Sequence, residues 1–182
     1  YNRILFQKDL LPWSFQWTGG FGARLPTGPY RQRDERQLMM PIGMQVGTGA
    51  WAFPLFTQVG LRYKDWGLLG ELFAQFHTTN EAEYRLGDYV QTALLASYYA
   101  RFKMSMMMPH TGLRYEMVGA DTEYGAINAD SGGNRWVWAS GIDWYIGNWS
   151  AGLRMNVPLL QELGGLQPQW EGQYSLQMIY FF

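Results

Sequence analysis

The 182-residue chain contains no cysteine, which removes disulfide scaffolds, thiolate metal sites and thiol nucleophiles, and suits a compartment where free thiols are oxidised. Lysine is almost as scarce, limited to Lys8, Lys64 and Lys103. Charge is sparse and balanced: 14 Lys plus Arg face 15 Asp plus Glu, for a net charge of -1. That balance lacks the basic footprint that binding to nucleic acid requires, so DNA and RNA are excluded as partners. Long apolar runs are missing too. With a mean hydropathy of -0.25 and no stretch of about 18 apolar residues, no spanning helix is predicted. A spanning strand needs far less, about 9–11 residues that are apolar at every second position.

What the chain does have is aromatic and apolar mass. Apolar residues make up 47% and aromatics 17%, with 9 Trp, 12 Tyr and 10 Phe, which argues against disorder. The length fits one domain.

Alternation with a period of two runs through the sequence. At the C-terminus Tyr174, Leu176, Met178, Tyr180 and Phe182 share one parity, and Gln173, Ser175 and Gln177 the other. Trp136, Trp138, Ile142, Trp144 and Ile146 oppose Ala139, Gly141 and Asp143, and Trp149, Ala151, Leu153, Met155 and Val157 oppose Ser150, Gly152, Arg154 and Asn156. Between these two runs Gly147-Asn148 is short enough for a hairpin turn. Similar splits centre on Trp13–Leu25, Trp51–Tyr63, Glu71–His77, Val90–Phe102 and, most weakly, His110–Met117. Helical spacing mixes apolar and polar residues, whereas strand spacing separates them. The pattern predicts an all-β protein of about eight strands, the smallest number usual for an outer-membrane barrel.

Connections alternate in length. Compact turns fall at Lys64-Asp65-Trp66-Gly67, around Lys103 and at Gly147-Asn148, and longer polar loops at Pro26–Gln37, Thr78–Gly87, Gly119–Asn134 and Leu159–Gln167. An up-and-down antiparallel transmembrane β-barrel has this arrangement, with tight periplasmic turns and long outer loops, and it puts the C-terminus on the periplasmic side. Residues 12–182 are expected to form the barrel and residues 1–11 an N-terminal periplasmic segment. Tyr1 opens no basic and apolar leader, so the chain reads as mature or trimmed.

A soluble sandwich or lipocalin-like barrel would turn the apolar parity inward and cover its surface with Lys and Glu. Here the polar parity is Gly, Ser, Gln and Asn with isolated charges, which suits a crowded, hydrated interior. Expected to point into that lumen are Arg24, Arg62, Glu71, Arg101, Arg114, Glu116, Asp143 and Arg154, as an ion-paired network or as the lining of a narrow polar path. Trp13, Trp51, Tyr63, Tyr89, Trp136, Trp149 and Tyr180 are expected to form aromatic girdles at the headgroup boundaries. In hydrocarbon the first and last strands should pair, because an open edge leaves N–H and C=O groups unsatisfied.

Four turn motifs carry a resemblance. Gly22-Ala23-Arg24-Leu25-Pro26-Thr27-Gly28, Gln45-Val46-Gly47-Thr48-Gly49-Ala50-Trp51, Ser131-Gly132-Gly133 and Asn156-Val157-Pro158-Leu159-Leu160-Gln161 occur in an order that resembles the outer-membrane transporter family associated with the meta-cleavage pathway of phenol degradation. That resemblance implies passage of small hydrophobic or aromatic molecules, with no cofactor and no catalytic residues. The closing Tyr180-Phe181-Phe182 also resembles the aromatic C-terminal signal read by the barrel-assembly machinery, with Tyr180 and Phe182 as its aromatic positions.

The remaining chemistry is thin. His77 and His110 lie in no metal-ligand spacing and beside no evident serine nucleophile, so neither enzyme activity nor metal binding is expected. Met39-Met40 and the Met104–Met108 run read as flexible apolar side chains, and Asp121, Glu123 and Asp130 as a solvated loop whose spacing does not match a calcium loop. The sequence therefore predicts a porin-like protein of a Gram-negative outer membrane, in contact with lipid, lipopolysaccharide and the barrel-assembly machinery. The alternative is a non-conducting structural or partner-binding barrel within a larger assembly.

Overall fold

A computed structural model describes residues 12–38, 40 and 44–182 in full and residues 2–10 by their backbone. Tyr1, Leu11, Met39 and residues 41–43 lie outside the description, including Met39 of the Met39-Met40 pair.

The described residues are all-β. Nine strands follow one another along a single sheet: β1 (Asn2–Leu10), β2 (Trp13–Phe21), β3 (Ala52–Tyr63), β4 (Trp66–His77), β6 (Tyr89–Tyr98), β8 (Ser105–Val118), β11 (Gly133–Ile146), β12 (Trp149–Leu163) and β13 (Gln173–Tyr180). Every neighbouring pair is antiparallel, as a meander of hairpins requires. The short β7 (Ala100–Arg101) adds to β8. Three more short strands, β5 (Tyr84–Arg85), β9 (Thr122–Glu123) and β10 (Ala126–Ile127), form a second small sheet in the long loops.

Turn chemistry sets the register. Lys64 and Gly147 take positive φ values of 53° and 53°, which lets the chain reverse within two residues so that Tyr63 pairs with Trp66 and Ile146 with Trp149. A register break at Trp136/Val137 absorbs one extra residue where β12 carries Pro158-Leu159. Two of the sequence motifs meet in the loop after β2: Gly28 and Gly47 approach so closely that a Cβ on Gly47 would run into the Gly28 carbonyl.

Two expectations differ from the observed architecture. Residues 2–10, expected to be separate from the barrel, form β1 and hydrogen-bond to β2, making nine principal strands and not eight. The expected pairing of first and last strands is also missing. Among the described residues β13 has β12 as its only partner and β1 has β2, so the sheet is open. Strand number explains this, because β1 and β13 are separated by an even number of antiparallel steps and run in the same direction.

Burial is inverted relative to a water-soluble sheet. Among the described residues the buried apolar side chains are only Ala50, Ala52, Ala74 and Val137. Leu94 is 55% exposed, whereas Glu116 is 4% exposed. The parity that the sequence marks as apolar looks outward along β2, β3, β4, β6, β8, β11 and β12, and the polar parity looks inward. The sheet curls around a chamber of about 630 Å³ to which these same seven strands contribute.

Candidate functional site

The chamber follows from register. Ser14, Arg62, Gly67, Ser97, His110, Gly141 and Arg154 are neighbours across successive strands, so one inward row crosses the sheet near its short-turn end. A second row joins Thr18, Gln58, Glu71, Ala93, Arg114 and Val137. A third row, nearer the long loops, joins Gly20, Phe56, Phe73, Gln91, Glu116, Arg135 and Gln161. Polar residues at period two on each strand thus become layers once the strands pair.

The layers differ in character. In the third, Glu116 accepts from Arg135 Nε at 2.5 Å and lies 2.7 Å from Arg114 Nε, so one buried carboxylate serves two guanidiniums. Two cations around one anion offset much of the cost of burying it. Arg135 also packs on the Trp170 ring at 5.0 Å, and Gln161 holds the Trp170 backbone through bonds of 2.8 and 3.1 Å. Phe73 and Tyr89 have ring centroids 5.8 Å apart on the same inward side. Together these groups narrow the interior toward the long loops.

Toward the short turns the interior opens into the chamber. Asp143 lies 3.7 Å from His110 Nδ1 and 3.8 Å from Arg154. Gln58 donates to Glu71 at 2.7 Å, and the Arg62 guanidinium sits 4.2 Å over the Tyr99 ring while its Nε donates to the Lys64 carbonyl. Arg62 and Arg154 leave part of their hydrogen-bonding capacity facing the cavity. A small polar molecule or water can be held there by donors and acceptors of both kinds.

Of the eight expected lumen charges, Arg62, Glu71, Arg114, Asp143 and Arg154 line the chamber, and Glu116 is buried beside it. The other two are elsewhere. Arg24 forms an isolated bridge with Ala52 outside the named strands and is exposed, and Arg101 reaches Asp65 at 3.7 Å at the short-turn rim. Both sit beyond the ends of the long strands, where parity no longer fixes direction. Tyr99 falls on the inward parity that the alternation of Val90–Phe102 gives it, whereas Arg135, Gln161 and Trp170 were not anticipated. Arg135 shares the parity of Ala139 and Asp143, so extending the alternation of β11 back by one residue finds it; Trp170 comes from a loop, where no periodicity speaks.

The aromatic rows are clear at the short-turn end. The Trp13 and Tyr63 ring centroids lie 4.4 Å apart, those of Trp66 and Tyr98 4.9 Å and those of Trp149 and Tyr180 4.8 Å, each pair tilted. At the other end Trp51 and Phe53 are 6.3 Å apart, and Tyr115 and Trp136 4.9 Å. Tyr89 belongs to neither row. It pairs with Gln75, donates its hydroxyl to Gln91 Oε1 at 3.0 Å and so faces inward. Phe182 is fully exposed, with its ring 6.2 Å from Tyr180.

The long loops fold on one another. Asn80, buried, donates to the Thr48 carbonyl and accepts from the Ala82 and Tyr84 N–H groups. Asp121 accepts from the Gly87 N–H at 2.7 Å and from the Tyr84 hydroxyl. Burial, reinforced by this bond to Asp121, pushes the Tyr84 phenol well above its ordinary value. Asp121 is thereby committed within the loops. His77 lies at their base, its N–H on Asp88 and its carbonyl accepting from Arg85.

No family model matches the chain, and no curated protein matches it. The resemblance to the phenol-pathway transporters stands on the four turn motifs alone.

Proposed function

We propose that the chain is an integral β-barrel protein of the bacterial outer membrane whose polar interior passes small solutes. The observation that carries this reading is the inverted burial: a chain that is 47% apolar keeps four small or branched apolar side chains buried among its described residues and exposes most of its Trp with many of its Leu and Phe. Water penalises such a surface by about 25 cal/mol per Å² of apolar area, whereas acyl chains do not. The dimensions support it. On β4 the outward parity runs from Trp66 to Phe76, about ten residue steps; at about 3.4 Å per step and a tilt of about 40° this spans roughly 26 Å, close to the apolar band of an outer-membrane barrel.

Within this reading the short turns are periplasmic and the long loops meet lipopolysaccharide. Tyr180 and Phe182 stand where the barrel-assembly machinery would engage the chain. Arg62, Glu71, Asp143 and Arg154 select among solutes. Their chemistry favours small polar molecules, while Leu69, Leu95 and Met108 give the same chamber an apolar share; the expectation of hydrophobic or aromatic cargo comes from the resemblance. Purified protein in a planar bilayer is expected to give discrete conductance steps, altered when Arg62 and Arg154 are replaced by Gln.

One observation favours a second reading. The Glu116–Arg135–Trp170 constriction fills the interior on the loop side, as in a structural barrel that conducts nothing and presents its loops to a partner. Absence of steps from protein inserted in the bilayer selects this reading and removes passage.

A further inference from the structure

The strands from β1 to β13 are each antiparallel to the next, and with nine of them β1 and β13 run in the same direction. Joining those two edges would place a parallel seam in an otherwise antiparallel wall. β2 and β13, in contrast, run in opposite directions, and the strands from β2 to β13 number eight. An even count closes with antiparallel pairing throughout, as single-chain bacterial barrels do.

The two edges match. β2 has 9 residues and β13 has 8, and the aromatic row at the short turns begins with Trp13 on one and ends with Tyr180 on the other. β13 is exposed along its whole length, an edge that hydrocarbon does not tolerate unpaired. The chamber already draws Ser14 and Gln16 of β2 together with Arg154 and Asn156 of β12, next to β13.

β1 fits the wall poorly. Its register breaks between Ile4 and Phe6, and it sets Lys8 opposite Phe15 and Arg3 opposite Gly19. Lys8 thus occupies a register position that β2, β3 and β4 fill with Phe15, Leu61 and Leu68, where a basic residue is disfavoured in proportion to depth.

We infer that in the membrane β13 takes the place of β1 on the edge of β2, closing an eight-stranded barrel and releasing residues 2–10 on the short-turn side. The inference rests on the membrane reading above. β1 then acts as a removable edge cover: it shields the backbone of β2 while the sheet is open, and its Arg3, Lys8 and Asp9 suit water once it leaves.

The cysteine-free sequence permits a direct test by disulfide cross-linking in the full chain folded into phosphatidylcholine vesicles. Retention of the chain through an alkaline wash reports membrane integration separately. The expected result is a cross-link between Gln16→Cys and one of Gln173→Cys, Ser175→Cys or Gln177→Cys, with loss of the cross-link between Gln7→Cys and Gln16→Cys, whose parent residues pair in the open sheet. Because cysteines can disturb folding, hydrogen exchange of the unsubstituted chain provides a second readout: the β13 amides that point away from β12 become protected and the β1 amides exchange freely. Retention in vesicles with a persistent 7–16 cross-link and unprotected β13 amides overturns this inference alone. Loss from the vesicles in the wash overturns both it and the membrane reading.

Discussion

Trp17 and Trp138 stand on the outward face, yet each satisfies its indole N–H within the protein, donating to Thr57 Oγ1 at 2.7 Å and to Thr111 Oγ1 at 2.8 Å. In water such donors need no protein partner; in hydrocarbon an unmade bond is costly. Adjacent leucines on β6 offer the cleanest comparison of the two faces. Leu94 is exposed outward and Leu95 lines the chamber, so Leu94→Arg is expected to lose about 2–4 kcal/mol in a refolding titration from lipid vesicles, and Leu95→Arg distinctly less. Equal losses would contradict the face assignment. Glu116 gives a second test at this scale. Its removal by Glu116→Gln leaves Arg114 and Arg135 without their carboxylate, and stability is expected to fall by about 3–5 kcal/mol, as when one partner of a buried ion pair is deleted. A loss below 1 kcal/mol, on the order of an exposed pair, would mean the cluster is open to water.

The loop elements act as a unit through Tyr84, Asn80 and Asp121. The Tyr84 phenol has a folded value above its ordinary value of about 10, so its contribution is complete below pH about 10 and is lost as pH rises through the higher folded value. An alkaline titration followed by near-ultraviolet absorbance should lose the latest-titrating phenol in Tyr84→Phe; an unchanged latest phase would show that the Tyr84–Asp121 contact does not hold in solution. Strands were far more legible in the sequence than these loops. The outward sets on β3, β11 and β12 follow directly from alternation, because a period of two survives whichever partner a strand meets. Loop pairings such as Tyr84 with Asp121 join residues 37 apart, and no local pattern encodes them. β1 was not recognised because Lys8 and Asp9 interrupt its alternation, and Tyr89 was assigned to the wrong face because an aromatic at a strand end fits either a girdle or a lumen. Arg24 and Arg101 failed for a related reason, lying past the ends of the long strands.

At the scale of the molecule, a nine-stranded sheet curls around a polar chamber and shows an apolar exterior, and nearly every tryptophan sits on that exterior. All of the 9 except Trp170 are among the exposed large side chains. The same distribution would destabilise a protein in water and position one in a bilayer, with Trp and Tyr rows at the two boundaries. Chamber composition and strand count were therefore only partly readable in advance: parity revealed which residues face inward, but the number of strands and the state of the edges depend on long-range pairing. The decisive measurement is quenching of tryptophan fluorescence in vesicle-folded protein, comparing brominated acyl chains with aqueous iodide. The account predicts strong quenching by the brominated lipid and little by iodide; accessibility to iodide with no effect of the brominated chains would contradict it.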